Sequence, residues 1–222
     1  MRGKKLARRF HVYEEKRKTE RKKPVLYING NASENVLKNM GAPPKAIHFS
    51  TRAFYLETHP KRLNEDDFVS SSGLILARAN RGLKGILDDS GEDGILYSKE
   101  ILNLNLAKTE LASLSSCVLG ESSINYSEGL YRLARAFKIA GVQSVLMPLR
   151  PVDDKLSKDF MVKFYEIWLA SPKKITPAKA LHKTRLYFIR SSEKKYQNPG
   201  MWSPYIIIDG QTRAIRKRKK MS

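Results

Sequence analysis

The chain has 222 residues, room for one α/β domain with a single core and no call for a second. Its one cysteine excludes an internal disulfide framework. No apolar stretch approaches the ~18 residues of a membrane span, and no signal-peptide segment follows the basic start, so the expectation is a soluble, cytoplasmic protein that takes no membrane.

The formal net charge of +20 is unevenly placed. Residues 1–23 carry eleven Lys/Arg and three Glu, and residues 212–222 carry six Lys/Arg and no acid, which leaves +6 for everything between. The ends therefore read as basic tails, 1–23 and 211–222, around a folded segment 24–210. Tails of this kind bind polyanions weakly, with little specificity and steep salt dependence.

In chain order, short apolar runs at 25–28, 46–49, 74–77, 111–115, 144–147 and 205–208 read as strands. Amphipathic stretches separate them, which predicts an α/β protein with a mainly parallel sheet flanked by helices. Leu26, Phe49, Leu76, Leu114 and Met147 are expected on neighbouring strands of that one sheet. The segments 59–72 and 88–94 are polar or Gly-rich and read as loops. Cys117 closes the 111–115 run just before a turn at Gly120, the place where an open α/β sheet carries a site. After it, Leu130, Leu133, Ala134, Phe137 and Ala140 form one apolar stripe at helical spacing, and Leu156, Phe160, Phe164, Ile167 and Trp168 form another. Thr176 followed by Pro177 announces a further helix, the first as N-cap and the second at the position where a missing N–H costs nothing.

Three blocks carry a resemblance: Leu114-Ser115-Ser116-Cys117-Val118-Leu119-Gly120, the helix-like segment from Ser127 to Gly141, and Ser144-Val145-Leu146-Met147-Pro148-Leu149-Arg150-Pro151-Val152-Asp153-Asp154. With Ala46-Ile47-His48-Phe49-Ser50-Thr51-Arg52-Ala53-Phe54 upstream and the Trp202 to Gly210 segment downstream, they resemble, in order, the CHAT domain of the caspase-like cysteine peptidases. The resemblance implies a caspase/gingipain-like fold over about residues 24–210. It puts Cys117 at the nucleophile position, Arg52 at the position of the histidine base and Ala53 where a glycine N–H meets the oxyanion.

Arg52 cannot be that base, because a guanidinium stays protonated and has no lone pair to accept a proton. Its charge can lower the pKa of a thiol, yet a leaving amine still lacks a proton donor. Val118 and Leu119 replace the family's polar pair, and Arg150 replaces its usual tryptophan. Ser127-Glu128-Gly129 is similar to the family's Gly-Glu-Gly and reads as a helix start. Asp153 and Asp154 match an acidic pair, read either as helix caps or as a binding site for a basic side chain, supplied by a bound peptide or internally by Arg52 or Arg150. His48, four residues before Arg52 and about 13 Å back along a continuous strand, reads as a core or hydrogen-bonding residue. His59 falls in a loop, His11 in the basic tail and His182 on an exposed helical turn.

The leading expectation is a degenerate peptidase domain that binds a peptide or protein partner without a cofactor or metal. Members of the family it resembles commonly carry helical repeats ahead of this domain, so the expectation is either a split or truncated product or a helical-repeat adaptor met in trans. An active cysteine endopeptidase with a rearranged base and a basic-tailed nucleic-acid-associated protein are the alternatives.

Overall fold

The computed structural model describes residues 9–13, 24–55, 71–115, 118–119, 123–170 and 175–209, with backbone alone for 9–13, 118–119 and 123–128. The first half contains β1 (Arg9–Tyr13), β2 (Val25–Ile28), α1 (Glu34–Lys38), β3 (Ala46–Ser50), β4 (Ala53–Tyr55), β5 (Ser72–Ile75), α2 (Ala79–Gly82), β6 (Ile95–Tyr97) and α3 (Ser98–Ile101). There follow β7 (Leu111–Leu114), β8 (Val118–Leu119), α4 (Ser123–Ile139), β9 (Ser144–Pro148), α5 (Asp154–Ala170), α6 (Pro177–Ile189), α7 (Lys194–Gln197), α8 (Pro199–Trp202) and β10 (Tyr205–Asp209).

Six strands form the main sheet in the order β10-β9-β7-β3-β1-β2. The central trio β3, β7 and β9 is parallel, while β10 pairs antiparallel with β9, and β1 antiparallel with both β3 and β2. Because β2 reverses β1, it runs with the central trio, so four of the six strands point one way. The α/β fold with a parallel centre is thus as the periodicity requires.

Helices cover both faces. Alternate residues of the central strands point to opposite sides. Ile47, Phe49, Ala112, Leu114, Val145 and Met147 pack with Leu130, Leu133, Ala134 and Phe137 of α4. From the other face Ala46, Leu111 and Leu146 meet Phe160, Phe164 and Trp168 of α5 and Leu181 and Phe188 of α6. Both predicted stripes are therefore core stripes. Phe137 and Phe160 are wholly buried, each worth about 1.5–3 kcal/mol of transfer free energy. The cap of α6 is also as read, with Thr176 Oγ1 accepting from Lys179 N–H at 3.2 Å and Pro177 in the first turn.

Three expectations need correction. Residues 9–13 are not tail but an inner strand, in register with β2 on one side and β3 on the other. Leu76 does not join the main sheet. It follows β5, which belongs to a second sheet of order β6-β5-β4-β8, and Leu26 is separated from the β3 strand of Phe49 by β1. The physical reason is the very short break at Thr51-Arg52. The Thr51 hydroxyl donates to Ile75 O and Ile75 N–H donates to Arg52 O at 2.8 Å, so the chain leaving β3 is captured at once by β5. Finally, Gly129 is no helix start, since α4 begins at Ser123 and Gly129 lies inside it. A Cβ there would stand 2.5 Å from Cβ and Cγ of Tyr55, so the missing side chain is what lets β4 lie against α4.

Candidate active site

The parallel strands β3, β7 and β9 finish side by side, and Ser115 N–H donates to Phe49 O at 3.0 Å to close that edge. Beyond the strand ends come Thr51-Arg52, Ser115 and Leu149-Arg150 respectively. The Arg52 guanidinium is exposed while its carbonyl is held by Ile75, and among the described residues no acid pairs with it. Ala53 is 4% exposed and in register with Leu74 on one side and Val118 on the other. Cys117 lies outside the described residues, as does His59. Its described neighbours in sequence are Ser115, bonded to the end of β3, and Val118, in register with Ala53.

His48 lies inside β3, 9% exposed, in register with Ser113 on β7 and His11 on β1. Its Nε2 is 2.7 Å from Ser115 Oγ, and its ring stacks on Tyr165 with centroids 5.5 Å apart and planes inclined by 25°. The Tyr165 hydroxyl lies 2.9 Å from Ser113 Oγ. Farther along, Ser157 Oγ donates to Ser115 O at 3.1 Å and in turn meets the Tyr205 hydroxyl at 2.8 Å. The expected hydrogen-bonding role of His48 is thus met by a specific partner. The continuous-strand estimate of its separation from Arg52 does not hold, because β3 stops at Ser50. Ser115, Ser157 and Tyr205 were not singled out in the sequence. The available signal was the i, i+2 spacing of Ser113 and Ser115, which puts two hydroxyls on the face shared with His48.

Asp153 is the N-cap of α5, its Oδ1 accepting from the N–H groups of Lys155 at 3.0 Å and Leu156 at 3.1 Å. Asp154 opens the helix and is exposed. Arg150 donates through Nη2 to Ser203 Oγ at 3.2 Å. Among the described residues neither aspartate pairs with Arg52 or Arg150, which removes the internal-pairing reading. His182 sits exposed on α6, and His11 belongs to β1 rather than to a tail.

A second polar cluster is built between α1 and α3. Glu34 and Lys38 are one turn apart on α1, and Lys38 Nζ reaches Glu34 at 3.2 Å, Glu100 of α3 at 2.6 Å, and Glu92. The three carboxylates come within 4.8 Å of one another, close enough to hold a metal ion. The Lys38 ammonium stands among them and supplies the positive charge that a metal would. Burial, with the charge of Glu100 and against the pull of Lys38, pushes the Glu34 carboxyl up to about 7. Burial pulls the Lys38 ammonium down, but hydrogen bonds to Glu100 and Glu92 outweigh it and the net shift is upward.

Among the described residues no helix is long and apolar enough to cross a membrane. A parallel-centred α/β sheet, helices on both faces and a small second sheet branching from the end of β3 define a class of fold whose site lies beyond the carboxyl ends of the central strands. The CHAT domain family model matches residues 7–211, and the chain belongs to that family, which is related to the caspase-like peptidases. The match takes in β1, in keeping with its inner place in the sheet. Comparison with curated proteins found no match.

Proposed function

We propose that this CHAT domain is a catalytically impaired caspase-like cysteine peptidase that binds a peptide or protein partner at the carboxyl edge of its sheet. The observation that carries the reading is Arg52, an exposed guanidinium two residues past the end of β3 at the position where the family resemblance calls for a histidine base. Cys117 is the nucleophile position and Ala53 the oxyanion position. The positive charge of Arg52 lowers the cost of forming a thiolate, but it neither removes a proton from an incoming water nor supplies one to a leaving amine. His48 does not stand in at the Arg52 position, because its Nε2 faces Ser115 Oγ at 2.7 Å from inside β3. A bound segment crossing the edge meets Arg52, Arg150 and the exposed carboxylate of Asp154.

The test is incubation of the intact protein with an unstructured protein substrate beside a Cys117→Ala variant. The expected result is the same background in both. Robust cleavage by the unmodified chain that disappears in Cys117→Ala overturns the proposal in favour of a rearranged base.

A further inference from the structure

The geometry points to a second nucleophile in this domain: Ser115, activated by His48 as general base, forming an acyl-enzyme from carboxylic esters.

A serine hydroxyl becomes a useful nucleophile when an imidazole nitrogen stands within hydrogen-bond reach, about 2.6–3.2 Å, and the ring is held in place. Both conditions are met. Nε2 of His48 is 2.7 Å from Ser115 Oγ, and the ring is fixed by the Tyr165 stack and by its place inside β3. Ser115 itself is pinned through its main chain, by its N–H to Phe49 O at 3.0 Å and by its carbonyl, which accepts from Ser157. The hydroxyl is the part left to react, and it lies just past the end of β7 on a residue that is partly exposed.

The competing arrangement has Ser115 donating to Phe49 O and the imidazole donating to Ser115. Phe49 O is 3.4 Å from Oγ, far beyond the optimum of about 2.7–2.8 Å for an O–H donor, whereas the imidazole nitrogen is within it. In the proposed arrangement the hydroxyl proton lies toward the shorter contact and Nε2 accepts it, the state a base requires.

The step balances as acyl transfer. Ser115 Oγ attacks the ester carbonyl while its proton passes to His48 Nε2. The tetrahedral adduct collapses by breaking the bond to the alcohol oxygen, which takes that proton from the imidazolium. Water then attacks the acyl-Ser115 ester, giving its proton to Nε2, and the carboxylic acid departs as the proton returns to Oγ. The residues are distinct from Arg52 and Cys117, so the inference stands whether or not peptidase activity is impaired.

The experiment exposes the full chain to an alkyl fluorophosphonate probe, which forms a Ser Oγ–P bond and expels fluoride, and maps the adduct by peptide mass spectrometry. Ser192, exposed on the loop before α7, is the internal reference. The expected result is labelling of Ser115 at least ~10²-fold faster than Ser192, a factor typical of general-base assistance. His48→Gln should cut Ser115 labelling to the Ser192 rate, and Ser115→Ala should abolish p-nitrophenyl acetate hydrolysis above solution background. Equal labelling of Ser115 and Ser192 in the unmodified protein overturns the proposal, as does undiminished Ser115 labelling in a His48→Gln variant that melts cooperatively. The first comparison needs no variant, so a variant that fails to fold leaves the decision intact.

Discussion

Glu34 is a carboxyl only 1% exposed, placed beside two other carboxylates and one ammonium. A group whose folded-state pKa, about 7, lies above its unfolded value binds protons more tightly when folded. Its stabilising contribution is therefore full below the unfolded value and is lost as pH rises through about 7. Lys38 is shifted upward, so its own contribution stays constant over the same window and fades only in strong alkali. Melting temperature followed from pH 5 to pH 8 should fall, and Glu34→Gln should flatten that slope. A slope of opposite sign, or one unchanged by the substitution, contradicts the assignment. Little of this was legible beforehand. The i, i+4 pair of Glu34 and Lys38 is visible in sequence, but Glu92 and Glu100 reach it only through tertiary contacts across more than fifty residues.

At the scale of elements, the seating of β4 on α4 depends on Gly129. Its absent Cβ leaves the space into which Tyr55 fits, and Arg132, one turn on, lies over the Tyr55 ring at 5.2 Å. Gly129→Ala adds one methyl at a contact of 2.5 Å that a rigid aromatic ring cannot relieve, and overpacking of that kind typically costs about 1–3 kcal/mol. Helix propensity alone would favour alanine by about 1 kcal/mol, so a net loss of stability in chemical denaturation identifies packing as the stronger effect. Pairing it with Tyr55→Ala should relieve the clash, giving a double mutant less destabilised than the two single costs added together. The strands and stripes of the core were legible because burial on one or two faces leaves a period of 2 or 3.6 in the sequence. The second sheet was not, because nothing in the apolar run 74–77 states which neighbour captures it, and that choice is made by Thr51 and Arg52 bonding to Ile75. In β1 the alternation of Phe10 and Val12 with Arg9, His11 and Tyr13 was present, yet the charge count of the surrounding segment outweighed it. The carboxyl edge itself was readable, since β3 and β7 end just before Thr51-Arg52 and Ser115. The His48–Ser115 contact required the register of β3 against β7.

For the whole molecule, the inner position of β1 changes how the charge is tested. Truncation of 1–23 would remove a strand paired on both sides and expose two sheet edges, so a loss of polyanion binding would report on folding as well as charge. Removal of 212–222 takes away six Lys/Arg outside every strand and helix described, and should weaken binding to a polyanion with a smaller salt slope. Unchanged affinity would locate the contact surface on the folded domain. The proposed loss of peptidase chemistry is also a property of the complete chain, because nucleophile, base position and supporting sheets come from distant segments. Its most direct measurement is a repair: Arg52→His combined with Ala53→Gly, assayed against an unstructured protein substrate, then repeated with Cys117→Ala added. General-base assistance is worth about 10² to 10⁴ in rate, so the impaired-peptidase proposal predicts cleavage well above the unmodified chain that vanishes with the cysteine. A folded double variant that cleaves no faster than the unmodified protein would contradict it.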